Sequence, residues 1–139
     1  MNRLVYIIVI LLLVACEAPI VEKIDSTYPD DQPEKVSYYQ EQNGEEVKVE
    51  EKNFHLNGKL KMSGKFLNGK REGEWIAYFD NEQLQSVGTF VAGNRTGPAK
   101  VYFPNGKMRY EGQYANNKEI GVWKFYNEDG KLKEEKDFK

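Results

Sequence analysis

The sequence predicts an all-β fold, an elongated antiparallel meander of β-hairpins with a 24-residue period, and two observations carry that prediction. The first is a gapless internal repeat. Glycines recur at Gly64, Gly88 and Gly112 and again at Gly73, Gly97 and Gly121, and tyrosines at Tyr78, Tyr102 and Tyr126. The hydrophobes Leu60, Leu84, Met108 and Leu132 and the aromatics Phe66, Phe90, Tyr114 and Phe138 keep the same step. A period of this size marks a repeat array, in which each unit is too small to bury a core alone and is stabilised by its neighbours. The second observation is alternation. Leu84, Ser86, Gly88 and Phe90 fall on one face of an extended segment, as do Met108, Tyr110, Gly112 and Tyr114.

Each unit is predicted to hold two strands. One contains the glycine of the 64, 88, 112 series; the other covers Trp75 to Phe79, Val101 to Phe103, or Trp123 to Tyr126. The short segments Asp80-Asn81-Glu82, Pro104-Asn105-Gly106 and Glu128-Asp129-Gly130 read as reverse turns, because turn positions with positive φ favour Gly, Asn and Asp. The other connection, Asn68 to Gly73, reads as a longer polar loop with glycine near both ends. Neither is long enough for a parallel crossover, so neighbouring strands must be antiparallel. Mid-strand glycine weakens a strand by roughly 0.5–1 kcal/mol relative to alanine. Gly64, Gly88 and Gly112 are therefore expected to make room for a large ring, such as Trp75 or Trp123, lying over the backbone.

Residues 36–53 read as a hairpin turning at Asn43-Gly44, out of step with the 24-residue frame and so a degenerate terminal unit. Residues 16–35 contain Pro19, Pro29 and Pro33 and the acidic pair Asp30-Asp31 and show no hydrophobic period, which predicts a flexible tether. Residues 1–15 read as an export signal, with Asn2-Arg3 before the apolar run Leu4 to Val14. That run is shorter than the ~20 residues a membrane-spanning helix needs. Leu13-Val14-Ala15-Cys16 resembles the lipobox of bacterial lipoproteins. The resemblance implies lipid attachment at Cys16, cleavage before it, and a mature chain held on a membrane of the bacterial envelope, at the outer membrane or cell surface.

Composition narrows the function. The 139 residues carry 20 basic and 22 acidic side chains, interspersed, for a formal charge of −2, so no basic stripe offers itself to a nucleic acid. One cysteine and one histidine leave no Cys/His metal cluster and no internal disulfide, and no cofactor site is expected. His55 occupies the slot of Phe79, Phe103 and Asn127, a structural position beside a turn. Adjacent carboxylates such as Glu45-Glu46, Glu50-Glu51 and Glu134-Glu135 point to opposite faces of a strand and cannot converge on one substrate. The chain is therefore read as non-catalytic.

Tyr110-Glu111-Gly112-Gln113-Tyr114, followed by Asn117 and Gly121, resembles the MORN repeat. Gly73-Glu74-Trp75, Gly121-Val122-Trp123 and the Asn-Gly hairpins depart from its common form and bring this chain nearer to the bacterial MORN variant. The resemblance spans about 85 of the 139 residues. It implies an array of hairpins in a long curved sheet and no catalytic residues, and some members of the group carry an antitoxin label. What is left is binding. The expected surface is the row Tyr78, Tyr102 and Tyr126, recurring every ~10 Å if two strands of about 4.8 Å each separate the rings. Such rings suit an envelope protein partner; a glycan such as peptidoglycan, or an antitoxin- or immunity-type role, are the alternatives. The polar stretches Lys70-Arg71 and Asn94-Arg95 are the fallback surface.

Overall fold

Hairpin follows hairpin without a crossover in the computed structural model, which describes residues 18–139 and holds ten strands in one antiparallel sheet, in sequence order. They are β1 (Ile20–Thr27), β2 (Pro33–Gln42), β3 (Glu45–Phe54), β4 (Leu60–Leu67), β5 (Lys70–Tyr78), β6 (Leu84–Val91), β7 (Asn94–Tyr102), β8 (Met108–Ala115), β9 (Lys118–Tyr126) and β10 (Leu132–Phe138). The predicted all-β meander is what forms. The expected export signal and Cys16 lie outside the described residues.

Two kinds of turn alternate along the chain. Between β2 and β3, β4 and β5, β6 and β7, and β8 and β9 only two residues intervene, and both take positive φ: Asn43 and Gly44, Asn68 and Gly69, Ala92 and Gly93, Asn116 and Asn117. This is the mirror-image turn whose twist matches that of the strands it joins. The other hairpins close through five residues. In each, the first residue donates its N–H to the carbonyl of the fifth and accepts from the N–H of the fourth, as in Phe103 with Lys107 and Gly106. The fourth residue is left-handed: Gly58, Gly106 and Gly130 meet this requirement freely, while Glu82 and Asp31 meet it at φ 67° and 63°.

The longer polar loop expected over Asn68 to Gly73 is not there. The chain turns tightly at Asn68-Gly69, re-enters the sheet at Lys70 and passes through Gly73 with φ 69° as an irregularity inside β5. Pairing jumps from Gly64↔Trp75 to Lys65↔Glu72 around it, and Gly97 and Gly121 adopt positive φ at the equivalent places. The second glycine series thus marks bulges, which add twist and bend the strand locally.

The expected tether over 16–35 is corrected where the structure describes it. Residues 20–27 are the edge strand β1, paired from Ile20↔Gln40 to Thr27↔Pro33, and residues 28–32 form the same five-residue turn as the later hairpins. An edge strand open to solvent on both faces needs no hydrophobic period. Polar contacts bind it instead: Ser37 Oγ donates to Asp25, Ser26 Oγ to Glu34, and Tyr28 Oη to the Phe54 carbonyl at 2.9 Å. The frame slips at this end because β2 and β3 are each 10 residues long, against 8 and 9 for β4 and β5. The hairpin at Asn43-Gly44 forms as expected.

The core is thin, as one layer of sheet dictates. Val36, Trp75, Phe90 and Trp123 are the buried hydrophobes, joined by buried Ser37 and Glu51. Glu51 stands one period before Trp75 and pairs with Gly64 and Ser37, so the N-terminal unit has an ion cluster where a later one has an indole. Lys48 and Lys35 both reach its carboxylate, Lys35 at 3.2 Å, and Asn53 Nδ2 donates to it at 3.2 Å. Burial pushes the carboxyl up, but the hydrogen bonds from Lys48, Asn53 and Lys35 outweigh it and hold Glu51 below its usual value. A carboxyl depressed in the folded state contributes stability above its unfolded pKa and loses that contribution as pH falls through the folded value. Glu51→Gln should therefore cost about 2 kcal/mol at pH 7, the scale of charge-assisted bonds, and should flatten the acid limb of a urea-melt series run from pH 7 to 3.

Candidate functional site

The two faces of the sheet differ, and strand alternation decides which residue lies on which. On one face the cross-strand pairs Gly64↔Trp75, Trp75↔Gly88, Gly88↔Ala99 and Ala99↔Gly112 run as a row across β4 to β8. Trp75 and Trp123 are its anchors, 4% and 1% exposed. A Cβ at Gly64 would lie 2.2 Å from Trp75 Cδ2, and one at Gly112 would lie 2.1 Å from Trp123 Cδ2. Each indole therefore lies flat over the glycine of the preceding strand, as expected. Phe66 and Phe90 flank Trp75 edge-on at 5.4 and 6.1 Å between centroids; Tyr114 and Phe138 flank Trp123 at 5.0 and 6.1 Å.

Gly88 breaks the pattern, and the expectation for it is corrected. A Cβ there would meet nothing within 4 Å. The residue that would cover it is Ala99, one period after Trp75 and one before Trp123, and a methyl group cannot reach. An open cleft of about 370 Å³ results, lined by Gly88, Ala99, Trp75, Phe90, Tyr110 and Tyr114 together with Arg71 and Arg95. The two guanidiniums stack on rings. Arg71 Cζ is 4.0 Å from the Trp75 centroid, and Arg95 Cζ is 5.8 Å from Phe90 and 5.5 Å from Tyr114. Among the described residues neither arginine has an ion-pair partner.

Tyr78, Tyr102 and Tyr126 end β5, β7 and β9, each half-buried, beside the five-residue turns. Alternation from Trp75 places Tyr78 on the opposite face from the indoles, and the Cα partners of the three tyrosines are Leu84, Met108 and Leu132. Tyr126 Oη donates to Glu111 at 2.9 Å, and that carboxylate hydrogen bond, ahead of desolvation, raises the phenol above its ordinary pKa. The row is thus a set of equivalent positions on one face. Lys70-Arg71 and Asn94-Arg95 are not loops: Arg71 and Arg95 are second residues of strands, with their side chains against the aromatic face. His55 opens a five-residue turn, with Nε2 2.9 Å from the Tyr78 carbonyl, in keeping with a structural position.

A second row of contacts links turn to turn. Asn57, Asn81 and Asn105 each donate from Nδ2 to a carbonyl of the next five-residue turn, Asp80, Pro104 and Glu128, at 2.9, 3.3 and 3.0 Å. Each Oδ1 accepts the N–H two residues on, at Lys59, Gln83 and Lys107. The opposite edge is tied by backbone bonds from Gly93 to Arg71 and from Asn117 to Arg95.

Residues 71–92, 95–116 and 119–139 match the profile described as MORN repeat variant. The matched segments lie on six of the ten strands, β5 to β10, and are similar to that repeat variant. Each matched segment is one hairpin closed by a five-residue turn, β5–β6, β7–β8 and β9–β10. The hairpins β3–β4 and β1–β2 close through the same turn outside the matched residues. MORN repeats are in general protein- or membrane-binding and typically non-catalytic. No curated protein and no solved structure matches the chain.

Proposed function

We propose that this MORN-repeat chain is a lipid-anchored, non-catalytic scaffold of the bacterial cell envelope, which binds an envelope protein through Tyr78, Tyr102 and Tyr126. The observation that supports it is repetition: equivalent half-buried tyrosines end β5, β7 and β9 on one face of a sheet that, among the described residues, has no second layer to cover them. Large rings with few rotatable bonds lose little entropy on binding, and repeated rings let a partner engage several units at once. The apolar run before Cys16 supports export and lipid attachment at Cys16, and two or three acyl chains there make such an anchor stable.

The test has two parts. Cys16→Ala should move the protein out of the membrane fraction and leave an uncleaved precursor; equal membrane recovery would remove the anchor. Tyr78→Ala, Tyr102→Ala and Tyr126→Ala should each reduce partner capture in a crosslinking pull-down from intact cells. A double variant should reduce it further, with circular dichroism unchanged. Full capture by folded double variants would remove the tyrosine row as the interface, and capture of peptidoglycan fragments in place of a protein would turn the reading to a glycan.

A further inference from the structure

The repeat shows what is missing at its own centre. At positions 75 and 123 an indole covers the backbone glycine opposite, whereas position 99 offers only a methyl, and the direction a Cβ would take from Gly88 is open for 4 Å. The frame around that vacancy is made for a ring in the same way as its neighbours. Phe90 stands at the place relative to Gly88 that Phe66 holds beside Gly64 and Tyr114 beside Gly112, and those two rings sit edge-on to the indoles. We propose that the cleft over Gly88 and Ala99 is a docking site for a tryptophan side chain carried by an acidic segment of another protein.

The tryptophan must come from another molecule, because this chain has two and both are buried. The acidic character follows from Arg71 and Arg95, which line the cleft, stack on its rings and have no carboxylate partner among the described residues. Held flat against aromatic rings, a guanidinium still presents its N–H edge, so carboxylates flanking the inserted indole can accept from it. A lone indole would use the rings only; a basic segment would meet Arg71 and Arg95, with Arg109 also lining the cleft, and none of the three is in an ion pair among the described residues. The site lies on the face opposite the tyrosine row and stands or falls independently of it.

The probe is an acetylated, amidated five-residue peptide with one tryptophan between two aspartates. It is titrated into the full ¹⁵N-labelled chain in detergent, with the Gly88 and Ala99 amides as readout. Saturable shifts at those amides are expected, with at least tenfold weaker binding when the peptide tryptophan is alanine or its aspartates are lysines. Ala99→Trp should fill the vacancy from within, raising the melting temperature and abolishing the shifts. Arg71→Gln with Arg95→Gln should weaken binding at least tenfold in a folded protein, which keeps the test decisive if Ala99→Trp does not fold. The proposal is overturned if the peptide binds the arginine double variant as it binds the parent chain, if it binds a folded Ala99→Trp equally well, or if it leaves Gly88 and Ala99 unshifted.

Discussion

Gly112→Ala should cost about 3 kcal/mol, at the upper end of what overpacking a filled site costs. Gly88→Ala, by contrast, should leave stability unchanged or raise it by about 0.5–1 kcal/mol. The two glycines occupy the same place in successive repeats and look identical in sequence. At Gly112 the new methyl would sit 2.1 Å from Cδ2 and 2.3 Å from Cε2 of Trp123. The ring cannot retreat easily, because Tyr110, Tyr114 and Phe138 stand around it with centroids 5.0–6.1 Å away. At Gly88 the methyl enters open space on a backbone that is not left-handed, so the variant loses only the conformational freedom of the unfolded glycine. Urea midpoints of the two variants decide the matter. Equal losses would mean that the indole does not lie over Gly112.

Trp123→Ala should cost 3 to 5 kcal/mol, the range for removing a large buried aromatic. The indole is 1% exposed and is the hub of an aromatic cluster spanning β8, β9 and β10. In an array where each unit contacts its neighbours, the loss should be local before it is global. Hydrogen exchange should show β8 to β10 opening first while β2 to β4, held by Glu51 and its lysines, stay protected. The indole N–H of Trp123 is buried without a partner, whereas Trp75 Nε1 donates to the Lys65 carbonyl at 3.2 Å. Trp123→Phe should accordingly be milder than Trp75→Phe, since only the second gives up a hydrogen bond. Uniform loss of protection across the sheet would show that the array folds as one unit.

The repeats from Leu60 onward were legible because their strands, turns and glycines recur without an insertion, and a short connection between strands admits only antiparallel pairing. The first hairpin was not. β1 is exposed on both faces, so no hydrophobic alternation marks it, and Pro29 and Pro33 lie in a turn and at a strand start, where proline is tolerated. The tight turn at Asn68-Gly69 is hidden in the sequence for a related reason: Gly73 has the signature of a loop end, although glycine with positive φ also serves as a bulge inside a strand. The asparagine ladder was visible as a column, Asn57, Asn81 and Asn105, but a turn-forming asparagine and one that also bonds the next turn have the same sequence signature.

Sequence alone determined the meander, because a 24-residue unit of two strands and two short turns has one way to pair with its copies. Sequence also held the column Trp75, Ala99, Trp123, but not its meaning. Only the tertiary structure decided which neighbour each indole leans over, since a strand residue has a partner on both sides. Trp75 faces Gly64 across one strand pair and Gly88 across the other. Its ring covers Gly64, and that choice leaves Gly88 open. Periodicity lists positions on a face, whereas the direction of a side chain within that face depends on the rings packed around it.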